Sequence, residues 1–203
     1  MTEEEGEDEA VITEDFYTDE RWNNWMERID EEDFDPESGD EDDALLFFKL
    51  QDDITIACAN AVEAHDEGHI DEDKFFDEVA KIRDVVMSDV SLNDDDKEMM
   101  VEGVQTSLVG VLASCETYVA NGPQENDVEA EEFVLEAIEA EAEDDVDRAL
   151  GLVSEAGAKI LDGDDFDAES VADEVEYGYV SEWINGLDSL EDAVTEPETV
   201  DED

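Results

Sequence analysis

The chain carries 69 Asp and Glu against 9 Lys and Arg, a formal net charge of −60. That imbalance limits what it can fold into more than any motif does. Self-repulsion of this size opposes compaction at ordinary ionic strength, so an acidic disordered chain is the first alternative to test. Disordered chains are poor in apolar residues. Here 40% of the residues are hydrophobic, enough for a real core in one domain or two small ones. The stretches Ile54–Val62 and Gly103–Cys115 contain no charged residue at all. A folded middle therefore has to coexist with an anionic surface, and dissolved salt reconciles the two. The Debye length falls to about 3 Å at 1 M, where exposed carboxylates hardly feel one another. The scarcity of Lys fits the same account. The composition reads as that of a protein from an extreme halophile that accumulates salt in its cytoplasm, with non-specific association with salt cations.

Apolar spacing gives the fold class. Thr18 precedes a stripe of Trp22, Trp25, Met26 and Ile29 at helical spacing, with Asp19 and Glu20 in the favourable first turn. That helix is expected to stop before Pro36, with Ser38-Gly39-Asp40 as a loop. A second helix is expected from about Asp42 to Glu67, ended by Gly68, and a third from about Asp71, with Phe75, Val79, Ile82, Val86 and Val90. Asn93 is the expected cap of a fourth, which runs to Ala120 before Asn121-Gly122-Pro123. Its middle (Val104, Leu108, Val109, Val111, Leu112) is apolar nearly all round, as befits the centre of a bundle. Asp127 opens a fifth helix, Glu143-Asp144-Asp145 leads into a sixth, and a seventh is expected over Ala168–Leu190. No convincing strand alternation appears. The expected fold is all-α: a single compact bundle of about seven helices over 14–190, with acidic disordered tails at 1–13 and 191–203.

The motifs that would carry chemistry fail one by one. Glu63–Asp71 resembles a calcium loop with Gly68 at its sixth position. The same register places Lys74 at the twelfth, where a bidentate carboxylate is required, so a plain helix–turn–helix is expected. His65 and His69 are four apart, but Gly68 between them breaks the helix they would share, and no HExxH is present. Cys58 and Cys115 lie in apolar helical segments without CxxC spacing and read as buried reduced thiols. Two His and two such Cys supply no nucleophilic triad, and carboxylate pairs are too common here to mark a dyad. There is no glycine-rich phosphate loop, and the charge opposes direct contact with nucleic acid. No catalytic, cofactor-binding or metal residue is assigned, and no cofactor is expected.

The acidic start Met1-Thr2-Glu3-Glu4-Glu5 is the reverse of a basic signal peptide, and the longest uncharged run, 103–115, is too short to cross a bilayer. A cytoplasmic protein without membrane contact is expected. The fifth and sixth helices have a faint tetratricopeptide-like spacing at Phe133, Ala137, Ala140, Ala149, Val153 and Ala156, which any tight helical hairpin would also need. On the seventh helix Val175, Tyr179, Trp183 and Leu190 form one stripe, which Tyr177, Val180 and Ile184 widen past half the circumference. Burial between two neighbouring helices explains that width, and so does an interface anchored by aromatic residues.

Four segments carry a resemblance: Phe16–Trp25, Leu50–Asp53, Gly103–Val109 and Glu176–Leu190. Together they resemble the archaeal domain-of-unknown-function family 2150, found in halophiles, over most of the chain from residue 14 onward. The resemblance implies an archaeal halophilic origin and carries over no activity and no catalytic residue. The leading expectation is a non-enzymatic interaction or adaptor protein with a protein partner, a second copy of itself included. Its expected contact surface is Trp22, Trp25, Tyr177, Tyr179, Trp183 and Ile184. The alternative is an acidic nucleic-acid mimic that occupies a basic partner, against which the even spread of carboxylates along the chain counts.

Overall fold

The computed structural model describes residues 15–32, 34, 41–124, 126–172, 174–175 and 177–195. The tail expected at 1–13, the loop at 38–40 and most of the tail expected at 191–203 lie outside the described residues. Among the described residues eight helices follow in order: α1 Asp19–Glu31, α2 Glu41–Asp66, α3 Glu72–Val86, α4 Asp95–Asn121, α5 Ala130–Ala142, α6 Val146–Leu161, α7 Ala168–Ala172 and α8 Tyr179–Thr195. No strand occurs among the described residues. The chain is all-α.

Local chemistry explains most of the boundaries. Thr18 caps α1 by accepting the Arg21 N–H at 3.3 Å. Gly68, at φ +74°, closes α2, with the His69 and Ile70 N–H groups returning to the Ala64 carbonyl. Asp71 then caps α3 by accepting the Lys74 N–H at 2.9 Å. The stretch that resembles a calcium loop is thus a helix stop joined to a helix start, with the Asp71 carboxylate committed to the cap. Asp94, rather than the expected Asn93, caps α4. Asn93 is drawn away because its N–H donates to Asp30 Oδ1 at 2.8 Å. Helix α5 begins at Ala130 with a Glu129–Glu132 capping box, later than the expected Asp127. The preceding residues turn on Asn126, whose Oδ1 accepts the Val128 N–H at 3.2 Å.

The largest departure is the expected seventh helix, which is two helices. The short α7 stops at Ala172 and α8 starts afresh at Tyr179, then continues past Leu190 to Thr195. The break is made by Glu141 of α5. Its carboxylate accepts the Tyr179 N–H at 2.7 Å and the Val180 N–H at 3.4 Å, supplying from outside the acceptors that a preceding turn would have given. Gly178 makes room for it, since a Cβ there would stand 2.8 Å from Glu141 Oε1.

Helix α4 is the axis of the bundle, packing against α2, α3, α6 and α8, while α5 lies on α6 and α1 reaches α3 at the edge. Val101, Leu108, Val111, Leu112 and Cys115 of α4 are fully buried. Close approach of backbones sets the spacing on one side of it. A Cβ on Gly186 of α8 would stand 2.5 Å from the Ser107 carbonyl oxygen of α4, and one on Gly157 of α6 would overlap the Ser114 side chain. On the other side, charge does the fastening. Arg83 of α3 makes two 2.8 Å bonds to Glu116 of α4, and Arg21 of α1 grips both carboxylate oxygens of Asp53 on α2. Lys97 of α4, 4% exposed, donates to the carbonyls of Asp30 and Glu32 at the end of α1. Lys81 joins α3 to Asp15, and on the glycine side Lys159 of α6 reaches the Asn126 carbonyl. Five of the nine cations thus tie separate parts of the chain together.

Candidate functional site

The residues expected to form a contact surface divide sharply. Trp22, Trp183 and Ile184 are 4%, 3% and 5% exposed and belong to the core. Trp25 is half-buried, its indole N–H donating to Asp53 Oδ2 at 2.7 Å and its ring lying under the Arg28 guanidinium at 5.3 Å. Burial therefore accounts for the width of the apolar face on α8, and Trp22 and Trp183 are not accessible anchors. Tyr177 and Tyr179 are different. They are 93% and 54% exposed, at the end of α8 that Glu141 caps.

These two tyrosines border a cleft of about 450 Å³ where the first half of α4, the α5–α6 turn and the start of α8 meet. Met99 and Val146, both exposed, complete its apolar rim. Glu102 of α4, Glu141 of α5, Asp144 of the turn and Glu182 of α8 supply carboxylates, and no Lys or Arg lines it. On the α8 side the Tyr179 ring stacks on the buried Trp183 at 5.9 Å between centroids with 22° between planes. Partial burial lifts the Glu182 carboxyl above its ordinary pKa, against a hydrogen bond with Asn185 that lowers it. Flat apolar faces beside carboxylates can hold a cationic group on an apolar stem; they contain no nucleophile paired with a base.

Sequence reasoning missed Met99, Glu102, Glu141, Asp144, Val146 and Glu182. Met99 and Val146 carried a faint signal, as large apolar residues falling outside the stripes of α4 and α6. A second, more open groove of about 490 Å³ runs along α4 and α6 past Phe76, Ala113 and Leu150, and no exposed large hydrophobic lines it.

The remaining chemistry-bearing residues lie outside the cleft. Cys58 and Cys115 are buried on α2 and α4, and burial pushes the Cys58 thiol up to about 12 and Cys115 well above its usual value. His65 and His69 sit at the α2–α3 turn beside Asp66 and Glu67. Among the described residues no group of three or more His, Cys, Asp or Glu is arranged to hold a metal ion, and no helix is long and apolar enough to cross a membrane.

The four segments that carry the family resemblance are laced to one another and to their neighbours. Gln51 of α2 donates to the Asn185 carbonyl of α8 at 2.9 Å and accepts from Ser107 of α4 at 2.6 Å. Ser189 of α8 donates to Asp52 at 2.7 Å, and Asp53 receives Arg21 and Trp25. The distinctive residues of this sequence thus fix how α1, α2, α4 and α8 meet. The chain belongs to the family described as an uncharacterized protein conserved in archaea (DUF2150), whose model matches residues 15–203. No curated protein and no solved structure matches it.

Proposed function

We propose that this member of an archaeal family is a non-enzymatic interaction protein of a salt-rich cytoplasm, and that the Tyr177–Tyr179 cleft is its contact surface. One observation carries the reading. Eight large hydrophobic side chains are exposed among the described residues, and four of them, Met99, Val146, Tyr177 and Tyr179, rim the same cleft. Exposed apolar residues scattered singly are ordinary; a convergent patch with polar groups around it is the mark of a binding surface. In molar salt the long-range pull of carboxylates is screened, so apolar contact has to supply most of the affinity. The scarcity of cations supports the salt-rich setting, since it leaves the exterior mostly to hydrated carboxylates.

The test is a photo-crosslinking amino acid placed at position 177 and, as a control, at Leu135, which is exposed on α5 away from the cleft. In molar KCl the first position is expected to give a dominant adduct that disappears when Tyr179→Ser is added, and the second to give none. An adduct of twice the chain's mass identifies a second copy as partner. Equal capture of a nucleic-acid-binding protein from both positions, with release by DNA, would contradict the proposal and establish the acidic-mimic alternative.

A further inference from the structure

The apolar rim explains why something binds; the carboxylates decide what. We infer that the cleft receives an arginine side chain from a protein partner, its guanidinium lying on a tyrosine face and paired with the acidic wall. The inference rests on the cleft being the contact surface proposed above. Covering Glu102, Asp144 and Glu182 with a neutral partner would strip water from carboxylates without replacing their hydrogen bonds, and an anionic partner would add repulsion. The occupant therefore brings positive charge. It also brings apolar stem, because Met99 and Val146 flank the site.

Between the two basic side chains the salt decides. A lysine ammonium is a compact, strongly hydrated charge that dissolved potassium or sodium can replace at a carboxylate. A guanidinium is weakly hydrated, planar and able to stack and to bond two oxygens at once, so its contacts outlast screening. The molecule already contains that arrangement at its own surface. Arg21 lies over the Tyr17 ring at 5.3 Å while its guanidinium clasps Asp53, and Arg28 lies over Trp25 at the same distance. Tyr179 and Glu182, three residues apart on one face of α8, present the same pair of groups outward. Glu141 is already committed to the α8 N–H groups, which leaves Glu102, Asp144 and Glu182 for the guanidinium.

The experiment titrates the intact protein in molar KCl with three capped pentapeptides, glycine throughout except for a central Arg, Lys or citrulline. Binding is read from the tyrosine ring resonances. Citrulline keeps the shape of arginine and removes its charge. The arginine peptide is expected to saturate, with citrulline about tenfold weaker or more and lysine in between, the range that a desolvated cation–π contact and a paired carboxylate imply. Glu182→Gln and Tyr179→Leu should each cut arginine affinity about fivefold or more. Tyr177→Ser, at a side chain almost wholly in water, gives a weakening that no folding defect can explain. Equal binding of arginine and citrulline, or tighter binding of lysine, would overturn the inference. So would no binding of any peptide. If crosslinking from position 177 still succeeds in those cases, the contact surface stands and the arginine does not; if crosslinking fails too, the contact surface falls with it.

Discussion

Where α3 meets α4, Arg83 and Glu116 clasp across a seam that leaves their side chains 41% and 31% exposed. Where α8 meets α4, Gly186 brings the two backbones into contact. The contrast extends through the molecule. Residues 15–124 hold seven of the nine cations against 32 acidic residues; residues 126–195 hold two against 24. The first region holds most of the cation ties, and the second meets α4 through small residues and close fit. A chain this acidic has few cations, and most of them lie on α1 to α3, of which α1 and α3 pack lightly at the edge while α2 is buried against α4 and α8.

The comparison breaks first at the glycines. Gly186→Ala pushes a methyl against the Ser107 carbonyl, which is backbone and cannot swing aside, so a loss of about 1–3 kcal/mol is expected in a denaturant titration. An unchanged midpoint would show that α8 can slide on α4 freely. Lys97→Met keeps the apolar stem and removes the ammonium from two carbonyls at the end of α1. A loss of about 1.5–3 kcal/mol is expected, with faster amide exchange in α1 than in α8. Equal exchange in both helices would mean that the cation is no local tie.

A smaller effect has opposite signs in the two regions. In α3, burial raises the Glu78 carboxyl, but bonds from Lys74 and Lys81 outweigh it and hold the group below its ordinary pKa. Its stabilisation is present above the unfolded pKa and is lost as pH falls through the folded one. In α8, partial burial lifts Asp188, helped by Asp192 and Glu191 on its own helix, Asp52 of α2 and Asp167 before α7. That group binds its proton more tightly when folded, so stability is full below the unfolded pKa and falls as pH rises through the folded value. Asp188→Asn is expected to raise the Tm by about a degree at pH 7 and by nothing in acid. A gain in acid would reverse the assigned sign.

The periodicity of apolar residues made the helices legible, because each buries one face and the spacing follows. It could not reveal the break before α8. Val175, Tyr179 and Trp183 keep helical spacing straight across it, and its cause, Glu141, lies on another helix. The same limit explains the expected contact surface. Spacing shows that Trp22, Trp183 and Ile184 share an apolar side, not what covers that side, and here the covering helices come from the chain itself. Tyr177 and Tyr179 were named in the same group, yet their exposure follows from the break. The rest of the cleft is assembled from α4, the α5–α6 turn and α6, which no local pattern brings together.

The most direct test of the two-region account is amide hydrogen exchange, resolved by helix, as KCl is lowered from molar to millimolar at pH 7. At 0.01 M the Debye length grows to about 30 Å, so carboxylates across the whole domain repel one another. The cation ties of α1–α3 strengthen under the same conditions, whereas residues 126–195 have almost nothing to offset the repulsion. The account predicts that α5, α6 and α8 lose protection first, before the helix signal as a whole collapses, and that both recover when salt returns. Protection that persists unchanged into millimolar salt, or that fails first in α1–α3, would contradict it.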